Sequence, residues 1–196
     1  QMRMRTALAR SVNITTVDLA MKMGMDAVVK TASAFQFSTP LKPHPSIALG
    51  SMEVIPLELA RAYCAFAADG LLPMPLSLKS VSDEKGMTLN SRHMEVQSAT
   101  TPARAYIMNS LLNSVVEEGT ASSLKTLGIT YPIAAKTGTT NDSRDAWFVG
   151  YTPEILALVW VGFDDGTSMQ GTGASAALPI WADLVKEIPQ YMSGGW

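Results

Sequence analysis

Three strand-length runs follow one another near the end of this sequence: Ile133 to Gly138, Ala146 to Tyr151 and Ile155 to Gly162. The last two are separated only by Thr152-Pro153-Glu154, a connection short enough to make them an antiparallel hairpin. The pattern before and after these runs is helical. Thr15-Thr16 is expected to cap a helix through Asp18 to Met23 that stops at Gly24, and Met25 to Phe35 continues with helical spacing. Pro56 suits a first helical position, with Leu57, Leu59, Ala60, Tyr63 and Ala67 inward and Gly70 at the stop. Leu76 to Val81 and Met87 to Met94 flank a turn-rich Ser82-Asp83-Glu84-Lys85-Gly86 and predict a second hairpin. Thr101 and Pro102 open a helix to Glu118, and a closing helix follows Pro179. Helices drawn from both ends of the chain around an antiparallel sheet make an α+β arrangement. With 196 residues, 47% of them hydrophobic and 16% charged, the chain is expected to form one domain with a real core.

The first of the three runs carries chemistry. It ends in Lys136-Thr137-Gly138-Thr139, which sets a cation, two hydroxyls and a glycine on one strand. Strand alternation places Lys136 and Gly138 on one face and Thr137 and Thr139 on the other. Gly138 is expected to leave one face bare, so that a substrate backbone can approach closely. Such an edge suits a peptide C-terminus, its carboxylate steadied by the lysine charge. Near the amino end, Ser11-Val12-Asn13 supplies a second polar cluster, which taken alone reads as a helix cap and turn.

Together these motifs, with Ala7-Leu8-Ala9-Arg10, Ala48-Leu49-Gly50-Ser51-Met52-Glu53-Val54, Pro56-Leu57-Glu58-Leu59-Ala60 and Arg144-Asp145-Ala146-Trp147-Phe148-Val149-Gly150-Tyr151-Thr152-Pro153, resemble class A penicillin-binding proteins. Those are bifunctional enzymes that polymerise and cross-link peptidoglycan. The likeness runs from Ala7 to about Trp181, with the motifs in the family's order. It implies a β-lactamase/transpeptidase-like fold, with helices on both faces of a five-stranded antiparallel sheet. It also implies D,D-transpeptidase chemistry. A serine attacks the D-Ala-D-Ala carbonyl of one stem peptide and expels D-Ala, and an amine of a neighbouring stem resolves the acyl-enzyme. β-Lactams acylate the same serine. By this resemblance Ser11 belongs to a proton relay, Asn13 hydrogen-bonds the substrate peptide, and Lys136 supplies positive charge near the carboxylate. Thr137, Gly138 and Thr139 form the substrate-binding strand. The two hydroxyls hold the terminal carboxylate, and the Thr139 N–H is one oxyanion donor.

One departure shapes the expectation. The family's nucleophile lies in a Ser-x-x-Lys tetrad ahead of the Ser-x-Asn motif, and Gln1 to Arg10 contain no serine. Ser82-Asp83-Glu84-Lys85 and Ser122-Ser123-Leu124-Lys125 come after Ser11, in the wrong order, and read as accidental matches. Residues 1–196 are therefore expected to be the C-terminal portion of a transpeptidase domain, with an incomplete fold and inert alone. The missing N-terminal part of the same domain would be its partner. A parent enzyme would sit on the outer face of the bacterial inner membrane, anchored upstream of this chain. A non-catalytic module that binds wall peptides or β-lactams as a sensor is the alternative. A serine β-lactamase is weaker, because no water-activating base is evident.

Other classes recede. A net charge of −2 without basic runs argues against a nucleic-acid surface. The longest apolar run, Ile155 to Val161, is too short to span a bilayer. Cys64 is the one cysteine and reads as a buried structural thiol, and the twelve methionines read as core filler. No cofactor is expected. Asp164-Asp165-Gly166 reads as a turn and not as a metal site, and His44 and His93 as surface residues. Lys136→Ala is expected to disturb folding little, as for an exposed strand lysine.

Overall fold

The computed structural model of the chain describes residues 2–192. Three helices open it: α1 (Met4–Ala9), α2 (Asn13–Met23) and α3 (Met25–Ser33). The expected caps Thr15 and Thr16 lie inside α2, whose first turn starts at Asn13; the Thr16 hydroxyl donates to the Val12 carbonyl at 3.0 Å. A threonine hydroxyl that bonds back one turn satisfies itself without capping. Gly24, at φ +88°, separates α2 from α3, as its position in the sequence predicts.

Helix α4 (Pro56–Ala67) begins at its proline. Its inward face differs from expectation: Leu57 is 60% exposed, while Ala62 and Ala65 are buried. The packed part of the helix begins a turn later, where Tyr63 meets Phe66 and Tyr151. The chain then makes a long antiparallel excursion of four short strands, β1 (Leu71–Pro73), β2 (Ser80–Ser82), β3 (Thr88–Ser91) and β4 (Val96–Ser98). β2 pairs with β3 and β1 with β4, so the expected hairpin is shorter and has a second ladder at its base. Its turn is built as its composition predicts. The Asp83 carboxylate accepts from the N–H groups of Lys85 and Met87 at 2.9 and 2.8 Å, and Gly86 takes φ +79°.

Helix α5 (Pro102–Glu117) is capped by Thr101, whose hydroxyl accepts from the Arg104 N–H at 3.4 Å. A short α6 (Ser123–Thr126) leads to the main sheet, β5 (Ala134–Thr139), β6 (Asp145–Tyr151) and β7 (Leu156–Gly162), in that order and antiparallel. The register sets Lys136 opposite Val149, Thr137 opposite Phe148 and Gly138 opposite Trp147. The main sheet has three strands among the described residues, where the resemblance implies five; no other described strand pairs with β5 or β7. A π turn, Gly173–Ala177, feeds α7 (Leu178–Glu187).

The core lies on both faces of β5-β6-β7. On one, Trp181 of α7 sits edge-on to Phe148, with ring centres 5.4 Å apart, over the bare Cα of Gly150. On the other, Leu112, Val115 and Val116 of α5 join Val149 and Tyr151. The buried Tyr151 hydroxyl donates to Asn109 at 2.8 Å, and the Asn109 amide donates to the Phe66 carbonyl at 2.9 Å. A buried polar chain closed in this way ties α4, α5 and β6 together. Desolvation pushes the Tyr63 phenol up to about 12 and that of Tyr151 higher still, so both stay neutral.

Candidate active site

Ser11 and Lys136, 125 residues apart in sequence, meet directly: the Lys136 ammonium donates to Ser11 Oγ at 2.7 Å and to the Thr137 carbonyl at 2.8 Å. The placement of Ser11 follows from how α1 ends. The Ser11 N–H donates to the Leu8 carbonyl at 3.1 Å and the Val12 N–H to Ala7 at 2.9 Å, a Schellman-type closure. That closure requires a left-handed residue, and Ser11 takes φ +54°. Glycine is the usual occupant, so a serine here carries a conformational cost.

α1 is held in turn by α5. The Arg5 guanidinium donates to the Ser110 carbonyl at 2.6 Å, to Ser114 Oγ at 2.7 Å and to Ser110 Oγ at 3.0 Å, while Ala7 and Ala9 are buried. α5 packs on β5, where the Asn113 amide donates to the Ile133 carbonyl at 3.0 Å. The serine is thus fixed to the lysine through two helices.

The other sites expected from sequence are placed as follows. Asn13 is the exposed first residue of α2. The Thr137 hydroxyl is not bare: it hydrogen-bonds the Thr120 hydroxyl at 2.6 Å. The Thr139 hydroxyl, at the exposed end of β5, accepts from the Gly173 N–H at 3.0 Å, which docks the π turn against the strand. The expectation for Gly138 needs correction. A Cβ there would lie 3.1 Å from the Trp147 Cβ, so its missing side chain makes room for a cross-strand indole. The backbone approach to Gly138 comes from Gly173, whose own Cβ would fall 2.5 Å from the Gly138 carbonyl oxygen.

Lys136 also differs from an exposed strand lysine. It is half-buried, and desolvation lowers its pKa from the usual 10.5 to about 8. About a tenth of it is then neutral at pH 7, which suits a group that shares a proton with a hydroxyl. The lowered value has a consequence for stability. Below pH 8 both folded and unfolded chains hold the proton; between 8 and 10.5 the unfolded chain binds more. The contribution of Lys136 to unfolding free energy should therefore rise with pH across that window, by up to about 3 kcal/mol. Denaturation of the wild type and Lys136→Met at pH 7.5 and pH 10 (about the ends of that window) checks this. A difference between the two proteins that does not change with pH would refute it.

Neither later Ser-x-x-Lys string forms a site. Ser82 is exposed in β2, and Asp83 to Lys85 make the turn. The Lys125 ammonium pairs with the Glu117 carboxylate at 2.6 Å. Cys64 is half-buried on α4, and burial pushes its thiol up. Asp165 accepts from the Thr167 N–H at 2.9 Å in the expected turn, and His44 and His93 are exposed. Among the described residues no His, Cys, Asp and Glu side chains gather into a metal-binding group, and no helix is long and apolar enough to cross a membrane. Sequence reading missed Arg5, Gly119, Thr120 and Gly173. The Gly119-Thr120 pair, just past the end of α5, carried the best signal.

Comparison with known proteins gives a consistent result. The penicillin binding protein transpeptidase domain family matches residues 1–186. Penicillin-binding protein 1A of Aquifex aeolicus (strain VF5) is 38% identical over 187 residues, which cover 94% of this chain and 25% of that protein. Penicillin-binding protein 1B of Vibrio cholerae is 35% identical over 192 residues, 97% of this chain and 25% of that protein. The chain spans about a quarter of the length of the curated relatives it matches. The crystal structure of penicillin-binding protein 1A from Haemophilus influenzae superposes with a TM-score of 0.90 over 100% of this chain and 35% of that one, at 24% identity. The PonA1 protein of Mycobacterium tuberculosis in complex with penicillin V superposes with a TM-score of 0.81 over 99% of this chain and 58% of that one, at 22% identity. The antiparallel sheet flanked by helices is thus the α+β fold of these transpeptidase domains. The chain belongs to the penicillin-binding protein transpeptidase domain family.

Proposed function

We propose that this chain is the C-terminal portion of a peptidoglycan D,D-transpeptidase domain and carries half of its active cleft. The contact between Ser11 and Lys136 carries the reading, because one hydrogen bond of 2.7 Å joins the two family motifs. A serine supplied by the preceding part of the domain attacks the penultimate D-Ala carbonyl, and the C–N bond to the terminal D-Ala breaks. The proton leaves the attacking hydroxyl and reaches the departing amine through a relay that includes Ser11, whose hydroxyl Lys136 holds in place. Asn13 binds the peptide side of the donor stem. Thr137 and Thr139 receive the terminal carboxylate beside the Lys136 charge, and the Thr139 N–H polarises the carbonyl. An amine from a second stem then attacks the ester, forms the cross-link and frees the serine. β-Lactams enter as mimics of the same dipeptide. The parent enzyme works at the outer face of the bacterial inner membrane, where stem peptides are exposed.

Intact-protein mass spectrometry with excess benzylpenicillin tests this reading. The chain alone should keep its mass, and the parent polypeptide, carrying the upstream Ser-x-x-Lys tetrad, should gain one penicilloyl group. An adduct on this chain mapped to Ser11, Ser82 or Ser122, or no adduct on the parent, would overturn the assignment.

A further inference from the structure

We propose that Thr120 is a positioning residue that sets the direction of the Thr137 hydroxyl proton toward the substrate carboxylate. The assignment rests on the transpeptidase reading above. Thr137 has one proton and two lone pairs on its hydroxyl. To hold a carboxylate it must donate, so the proton must point into the cleft. The Thr120 hydroxyl lies 2.6 Å away, within the normal O–H···O range. When Thr120 donates into this contact it occupies a Thr137 lone pair and leaves the Thr137 proton for the ligand.

Thr120 is held well enough to do this. Its N–H donates to the Ala9 carbonyl at 3.1 Å, and the next N–H, that of Ala121, donates to the Val115 carbonyl at 3.0 Å. Gly119 lies so close beneath Ala9 that a Cβ would fall 2.2 Å from the Ala9 oxygen. The loop after α5 therefore clamps the end of α1, two residues before Ser11, and through the Thr120 side chain it also touches β5. One short segment aligns both halves of the cleft. Neither Thr120 nor Thr137 is fully exposed, so water competes weakly for the contact.

The test compares acylation of the parent polypeptide by benzylpenicillin and by its methyl ester, which lacks the carboxylate. In the wild type the free acid should react faster. Thr120→Val should cut the acid-to-ester rate ratio by about tenfold, the upper end of what one neutral hydrogen bond contributes, and Thr120→Ser should keep it. An unchanged ratio in Thr120→Val, with only its melting temperature lowered, would overturn the assignment and make the contact a packing feature. If Thr120→Val does not fold, Thr120→Ala takes its place: a tenfold lower ratio supports the assignment and an unchanged ratio overturns it. A wild-type parent that benzylpenicillin fails to acylate would overturn the transpeptidase reading itself, and this assignment with it.

Discussion

Replacing Trp181 with alanine should lower the unfolding free energy by about 3–5 kcal/mol, the range for deleting a large aromatic from a packed interior. The side chain is 1% exposed and closes one face of the main sheet. Its ring lies against Phe148 and over Gly150, where a Cβ would sit 2.6 Å from the indole. Its indole N–H donates to the Gly150 and Ala157 carbonyls at 3.2 and 3.1 Å. Those two residues are cross-strand partners in β6 and β7, so one donor spans the hairpin. Truncation leaves a void, two weakened acceptors and an uncovered strand pair. Trp181→Phe, which keeps most of the volume but not the donor, should lose less. Urea denaturation of the three proteins measures the series, and a loss below about 1 kcal/mol in Trp181→Ala would show that α7 is not a structural half of the core.

Ser11→Gly should separate stability from chemistry. The left-handed backbone at Ser11 suits glycine, so the variant should unfold at the same free energy or at one higher by up to about 1 kcal/mol. The hydroxyl that receives the Lys136 ammonium is gone, however, and with it the relay proposed for leaving-group protonation. β-Lactam acylation of the parent polypeptide should fall by about 10²–10⁴, the usual contribution of a positioned proton-transfer group. Ser11→Ala should lose the acylation without gaining stability, since alanine keeps the steric cost and lacks the hydroxyl. Retention of wild-type acylation by Ser11→Gly would remove Ser11 from the relay.

Most local signals proved reliable where a single residue's chemistry decides the outcome, although the caps expected at Thr15 and Thr16 lie inside α2. Pro56 and Pro102 open helices, Gly24 separates two, and Thr101 caps α5. The hairpin of β6 and β7 has the register that its short connection demands. Misreadings arose where burial depends on a distant partner. Leu57 has helical spacing but faces water, because the packed stretch of α4 begins nearer Tyr63. The strands of the excursion are shorter than their apolar composition suggests and largely exposed, so ladder geometry rather than a core sets their ends.

The sequence by itself determined most element types and the antiparallel hairpins, because propensity and alternation are properties of neighbouring residues, while the expected pairing of Ser11-Val12-Asn13 with Lys136-Thr137-Gly138-Thr139 came from the resemblance to a known family. Only the tertiary structure decided that Lys136 is desolvated, that Trp147 fills the face left by Gly138, and that Thr120 engages Thr137. Each of these depends on how α1, α5 and β5 pack across more than a hundred residues of chain, and local pattern carries no record of that packing.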